Sequence, residues 1–136
     1  MKKLFVAFLG LTLLTGCMTT SQGVLGTQNS QVETRNYQSR TFDTGDKKMV
    51  LRSVISTMQD LGFIIDRADE TLGTVSGTSF KNDSKMTVSV RPSGTKQMIV
   101  RANASAGLYE ITSPVAYQNF FNALSQSLFL DAHTIE

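Results

Sequence analysis

Between Leu51 and Leu61 the apolar residues Leu51, Val54, Ile55, Met58 and Leu61 recur at three- and four-residue spacing in an otherwise polar run. That spacing draws one apolar stripe along a helix. Asp43 or Thr44 is placed to cap its start, Asp46 brings negative charge into the first turn, and Gly62 stands just past its end as a left-handed cap. Before this helix, Ser39 to Asp43 alternates polar and apolar residues, a short strand with Phe42 inward. After Gly62 the period changes to two. Phe63 to Arg67 reads as a strand, Asp69-Glu70 as a turn, and Leu72 to Thr78 as a glycine-interrupted strand with a bulge or strong twist. Lys81 to Ser84 is a polar loop. Met86, Val88 and Val90 then alternate with Thr87, Ser89 and Arg91, and after a Pro92-Ser93-Gly94 turn Met98, Val100, Ala102 and Ala104 alternate with Ile99, Arg101 and Asn103. These two runs form the clearest hairpin in the chain. The last element is a helix capped by Ser113, with Pro114 in its first position and Tyr117, Phe120, Phe121, Leu124 and Leu128 on a broad apolar face.

The order strand, helix, four strands, helix is that of an α+β domain. One antiparallel sheet with both helices on a single face buries both helical stripes against the inward strand residues.

The start of the chain has a different character. Met1, Lys2 and Lys3 give a small positive end, Leu4 to Leu14 are almost continuously apolar, and Thr15 and Gly16 are small. The run is about half of the roughly twenty residues a membrane-spanning helix needs, so it reads as a secretory signal rather than a permanent span. The sole cysteine, Cys17, closes it. Leu14-Thr15-Gly16-Cys17 resembles the lipobox of bacterial lipoproteins. That resemblance implies cleavage before Cys17, with Leu14, Thr15 and Gly16 as signal-peptidase recognition residues. It also implies a diacylglyceryl thioether on the thiol and an acyl chain, such as palmitate, on the freed amine. A single acyl chain holds a protein to a bilayer only weakly, whereas several anchor it stably. Met18 stands where an Asp would mark inner-membrane retention in the enteric sorting pattern, so the resemblance implies the outer membrane, with the domain facing the periplasm.

Removal of sixteen of the 136 residues leaves 120, enough for one small domain. It also removes two of the thirteen basic residues, so eleven face eleven acidic ones and the mature chain is formally neutral. Net charge therefore gives no reason to invoke nucleic acid as a partner. Met18 to Gln38 is rich in Thr, Ser, Gln, Asn and Gly, with few large apolar residues, and reads as a flexible tether. The organisation is thus a signal over 1–16, a lipidated cysteine and tether over 17–38, and a periplasmic domain over 39–136.

The stretch VLRSVISTMQDLGFIIDRADETLGTVSG, and above all its helix-to-strand corner Met58-Gln59-Asp60-Leu61-Gly62-Phe63, resembles small bacterial lipoproteins with a helix-grip (TBP-like) domain, the type found in BamC-like components of the outer-membrane assembly machine. The resemblance runs from about Arg40 to Leu130. BamC-like proteins carry two such domains and a long N-terminal docking segment, whereas this chain has one domain and a short polar tether. What it implies is the fold and a place in an envelope complex, not membership of that machine.

Catalytic chemistry has little material. One cysteine makes neither a disulfide framework nor a metal cluster. His133, the only histidine, falls after the last helix and has no nucleophile to serve. Val75-Ser76-Gly77 and Pro92-Ser93-Gly94 lack nucleophile-elbow spacing, and Asp66, Asp69 and Glu70 bunch at a turn without the ligand spacing of a calcium loop. The chain reads as noncatalytic, with no cofactor apart from the covalent lipid. What remains is surface. The sheet face away from the helices presents Thr87, Ser89, Arg91, Ile99, Arg101 and Asn103, either a solvated plane or a docking face with Arg91 and Arg101 as donors to a protein partner. A second use of the fold is a lipid or small-molecule carrier with a cavity lined by Met86, Met98, Phe120 and Phe121. A large empty cavity favours the carrier and a filled interior the interaction module.

Overall fold

The structure, a computed structural model, describes residues 31–133. They run as α1 (Gln31–Tyr37), β1 (Ser39–Phe42), α2 (Lys47–Asp60), β2 (Ile64–Asp69), β3 (Thr74–Ser79), β4 (Ser84–Ser93), β5 (Gln97–Ala106), β6 (Tyr109–Glu110) and α3 (Pro114–His133). The strands form one antiparallel sheet in the order β1-β5-β4-β3-β2, and β6 adds to β5 beyond the end of β1. The molecule is of the helix-grip-like α+β class, with its helices packed on the sheet. Residues 1–30, which include the stretch read as a signal and lipobox and also Cys17, lie outside the described residues.

α2 begins one step later than the sequence suggests. Asp46, expected inside the first turn, is itself the cap: its Oδ1 accepts the Met49 N–H at 2.9 Å. Thr44 instead accepts the Asp46 N–H at 3.2 Å, so its hydroxyl shapes the turn leading into the helix. At the other end Gly62 has φ +88 and its N–H reaches the Gln59 carbonyl at 2.9 Å, while the Phe63 N–H reaches that of Met58 at the same distance. This pair of bonds is a Schellman motif, which closes a helix and turns the chain sharply. The corner is therefore built as its sequence implied, although Leu61, read as part of the buried stripe, is 41% exposed at the cap.

The corner presses on the sheet through a glycine. A Cβ on Gly77 would stand 2.8 Å from the Ile64 carbonyl oxygen and 3.0 Å from the Met58 methyl, so only a bare backbone fits there. The bulge expected near this glycine lies across from it, on β2, where Asp66 is the extra residue between Ile65–Gly77 and Arg67–Ser76. Leu72 and Gly73, read as strand, belong to the turn before β3.

Inward strand residues Val75, Met86, Val88, Val90, Met98, Val100, Ala102 and Ala104 meet Val50, Leu51, Val54 and Met58 of α2 and Tyr117, Phe120, Phe121, Leu124 and Leu128 of α3 in one core. Burying each large side chain contributes about 1.5–3 kcal/mol. Phe120 and Phe121 pack edge to face at 5.1 Å, and Arg40 of β1 lies 5.1 Å over the Phe121 ring while its guanidinium donates to Asn122.

Two parts were absent from the sequence reading. The tether does not extend to Gln38: residues 31–37 form α1, and Gln38 is 1% exposed. Its backbone carbonyl continues the β1–β5 ladder by accepting the Ala102 N–H, and its side-chain amide donates to Glu110 and to the Tyr117 hydroxyl. β6 is the second addition, a two-residue strand paired to Ser105 and Ala106. His133, expected beyond the last helix, is its final residue.

Candidate docking face

Period-two alternation puts Thr87, Ser89, Arg91, Ile99, Arg101 and Asn103 on the sheet face opposite the core, and the structure brings all six together there. Each is exposed or half-buried, while the residues between them are buried, apart from Pro92 at the outer end of β4. The register fixes their rows. Thr87 faces Asn103, Ser89 faces Arg101, and Arg91 faces Ile99. β1 extends two of these rows, Ser39 beside Arg101 and Thr41 beside Ile99. Ser39, Ser89, Arg91, Pro92, Ile99, Arg101 and Asn103 line a concavity of about 470 Å³. Ser39 and Pro92 were missing from the sequence-derived set. Ser39 could not be aligned with Arg101 without knowing that β1 pairs with β5, a contact some sixty residues apart in the chain.

Arg91 and Arg101 are diagonal neighbours on adjacent strands, a spacing of about 7–8 Å in an antiparallel sheet. Among the described residues the ion pairs are Lys48 with Glu70 at 4.0 Å and Arg67 with Asp69 at 3.6 Å, and neither involves these two arginines. The concavity thus combines two uncompensated guanidinium forks, hydroxyls from Ser39 and Ser89, the Asn103 amide, and an apolar floor of Ile99 and Pro92. Guanidinium forks match carboxylates in bidentate geometry, and hydroxyls and amides complement peptide groups.

The other residues weighed as sites are occupied differently. Asp66 accepts the Thr78 hydroxyl at 2.7 Å, Asp69 accepts the Leu72 N–H at 2.8 Å and faces Arg67, and Glu70 faces Lys48. Each serves a turn or strand contact. Among the described residues no three His, Cys, Asp or Glu side chains come together in a way that could hold a metal ion. Met86, Met98, Phe120 and Phe121 are 7%, 5%, 0% and 1% exposed within the core cluster. None of them lines the face concavity, the cleft of about 210 Å³ between α2 and β2, or the hollow beside Ser125 and Phe129 on α3. No helix among the described residues is long and apolar enough to cross a membrane.

The chain matches no family model and no curated protein.

Proposed function

We propose that this chain is a noncatalytic, membrane-anchored envelope lipoprotein whose domain serves as an interaction module in a larger membrane complex of secretion, transport or outer-membrane assembly. Acylated Cys17 holds it to the outer membrane, on the periplasmic side, and the Arg91–Arg101 concavity receives a partner's carboxylate-bearing segment. The observation that carries this reading is the diagonal arginine pair, uncompensated by the ion pairs of the described residues and set among Ser39, Ser89 and Asn103. The anchor supplies the rest of the mechanism: confining the domain near its partner raises the effective concentration without new contacts. Against the carrier alternative stands the packing of Met86, Met98, Phe120 and Phe121, which are buried in the core cluster.

The test is a crosslinked pull-down of the acylated protein from membranes, with Cys17→Ser as the anchoring control and the double variant Arg91→Glu/Arg101→Glu as the face control. A stoichiometric membrane partner is expected, weakened by loss of the anchor. Charge-assisted hydrogen bonds contribute about 1.5–3 kcal/mol each, so reversal of both arginines should reduce recovery by a hundredfold or more. Undiminished recovery with the double variant would remove the face from the proposal. A lipoprotein recovered alone with a co-purifying lipid or metabolite would favour the carrier.

A further inference from the structure

The two ends of the sheet differ in their turns. At the end where β4 and β5 meet, the β4–β5 turn is Gly94-Thr95-Lys96, all three exposed, and the β2–β3 turn carries one large apolar residue, Leu72, 66% exposed. At the opposite end Phe80 is 78% exposed in the β3–β4 turn, Leu108 is 100% exposed in the β5–β6 turn, and Tyr109 is 81% exposed at the start of β6. These two turns are neighbours: Ser84 pairs with Ala106, and the Gly107 N–H donates to the Asp83 carbonyl at 3.2 Å. Leu61 and Ile64, 41% and 59% exposed, lie at the same end, where α2 closes and β2 opens opposite Thr78. Lys81 and Lys85 bracket the turn after Phe80, with Asp83 between them, and all three are exposed. An aromatic residue, a leucine and a tyrosine on adjoining turn tips, rimmed by lysines whose stems can lie along apolar surface, have the chemistry of a bilayer interface.

We propose that this end of the domain docks on the phospholipid surface, with Phe80, Leu108 and Tyr109 entering the headgroup region. The inference rests on the anchored reading of Cys17. What selects the bilayer as occupant is where the chain enters the fold. The Tyr37 hydroxyl donates to the Thr112 carbonyl and the Gln38 amide to Glu110, which seats the end of α1 beside β6, at the end that carries the apolar turns. Thirteen residues separate Cys17 from Gln31, a reach of at most about 45 Å. That reach lets the lipid and the turn tips meet the same surface. Three partly inserted side chains orient a domain that the acyl chains already hold.

The chain has no tryptophan, so a single introduced one reports alone. Leu108→Trp and Phe80→Trp, both at exposed positions, are compared with Thr95→Trp at the opposite end. Each acylated protein is reconstituted into phosphatidylethanolamine–phosphatidylglycerol vesicles with brominated acyl chains. Expected are a blue shift and loss of most of the emission for Leu108→Trp and Phe80→Trp, with Thr95→Trp unchanged. Equal quenching at both ends, or quenching at neither, overturns the docking geometry. Intact mass of the reconstituted protein separates that failure from failure of the anchor. A chain with acyl mass on Cys17 but unquenched turns keeps its anchor and loses this inference. If the acyl mass is absent, the anchored reading fails. A vesicle titration of the unacylated chain then decides the turns, with selective quenching at Leu108→Trp supporting them and none overturning them. A blue shift without bromine quenching would identify burial against protein and also overturn the proposal.

Discussion

Three polar contacts converge on the hydroxyl of Tyr117. Its hydroxyl donates to the Ile111 carbonyl at 2.7 Å and accepts from the Ala104 N–H at 3.1 Å and the Gln38 amide at 3.3 Å. It stands where β1 has ended and the β5 edge would otherwise lack a partner. Tyr117→Phe keeps the ring in its place but leaves a buried N–H and a carbonyl without that partner. An unsatisfied buried group costs about 1–3 kcal/mol, so chemical denaturation should give a stability loss of about 2–3 kcal/mol with an unchanged m-value. A loss below half a kilocalorie would mean that the hydroxyl's contacts are replaced without cost. The side chain was legible in the sequence as core, since it falls on the apolar face of the last helix. Its polar role was not, because hydrophobic spacing carries no information about which backbone group a hydroxyl meets. Asp46 shows the same limit: the spacing offered Asp43 or Thr44 as the cap and set Asp46 inside the first turn, and only the reach to the Met49 N–H makes Asp46 the cap.

Elements with a strong period were readable, and those held by tertiary contact were not. The β4–β5 hairpin alternates from Ser84 to Arg91 on β4 and from Gln97 to Ala104 on β5, and its ten paired positions follow the parity expected from Met86 to Ala104. Helix α1 has seven residues and mostly exposed side chains, too short to be stable alone in water. What holds it is Tyr37 tilted against Tyr117 at 5.8 Å, the Tyr37 bond to Thr112, and Gln38 in the ladder. The stretch thus reads as tether until its partners are known. These polar contacts, only partly buried, and part of an aromatic side chain are together worth about 2 kcal/mol. For a domain of this size that is roughly 10 °C in melting temperature. A chain beginning at Ser39 should melt about that much lower than one beginning at Gln31, and equal melting temperatures would return α1 to the tether.

For the molecule as a whole, a formal net charge of only +2 hides an uneven sheet face. Lys85, Arg91 and Arg101 occupy β4 and β5, whereas the acids of the open face, Asp66 and Asp69, sit on β2 and are already engaged by Thr78 and Arg67. Composition averages these away, and only strand parity separates them. Along β4, Arg91 is seven residues from Ser84, a distance of about 24 Å at the rise of an antiparallel strand. With the Phe80 and Leu108 turns against a bilayer, Arg91 stands that far from the lipid and Arg101, five residues from Ala106 on β5, about 17 Å, both beyond the screening length of about 8 Å at physiological ionic strength. The concavity would then act on a protein partner and not on headgroups. The two associations should consequently separate under salt. Contacts made through exposed arginines weaken as counterions screen them, while acyl chains and apolar turns do not. Raising the ionic strength from about 0.1 M to 1 M shortens the screening length from about 10 Å to 3 Å. Crosslinked partner should fall away over that range while the lipoprotein stays with the membrane pellet. If partner and membrane association survive together at high salt, the interface is apolar and the arginine face is solvated surface. If both are lost together, the partner, and not the lipid on Cys17, is what holds the protein to the membrane.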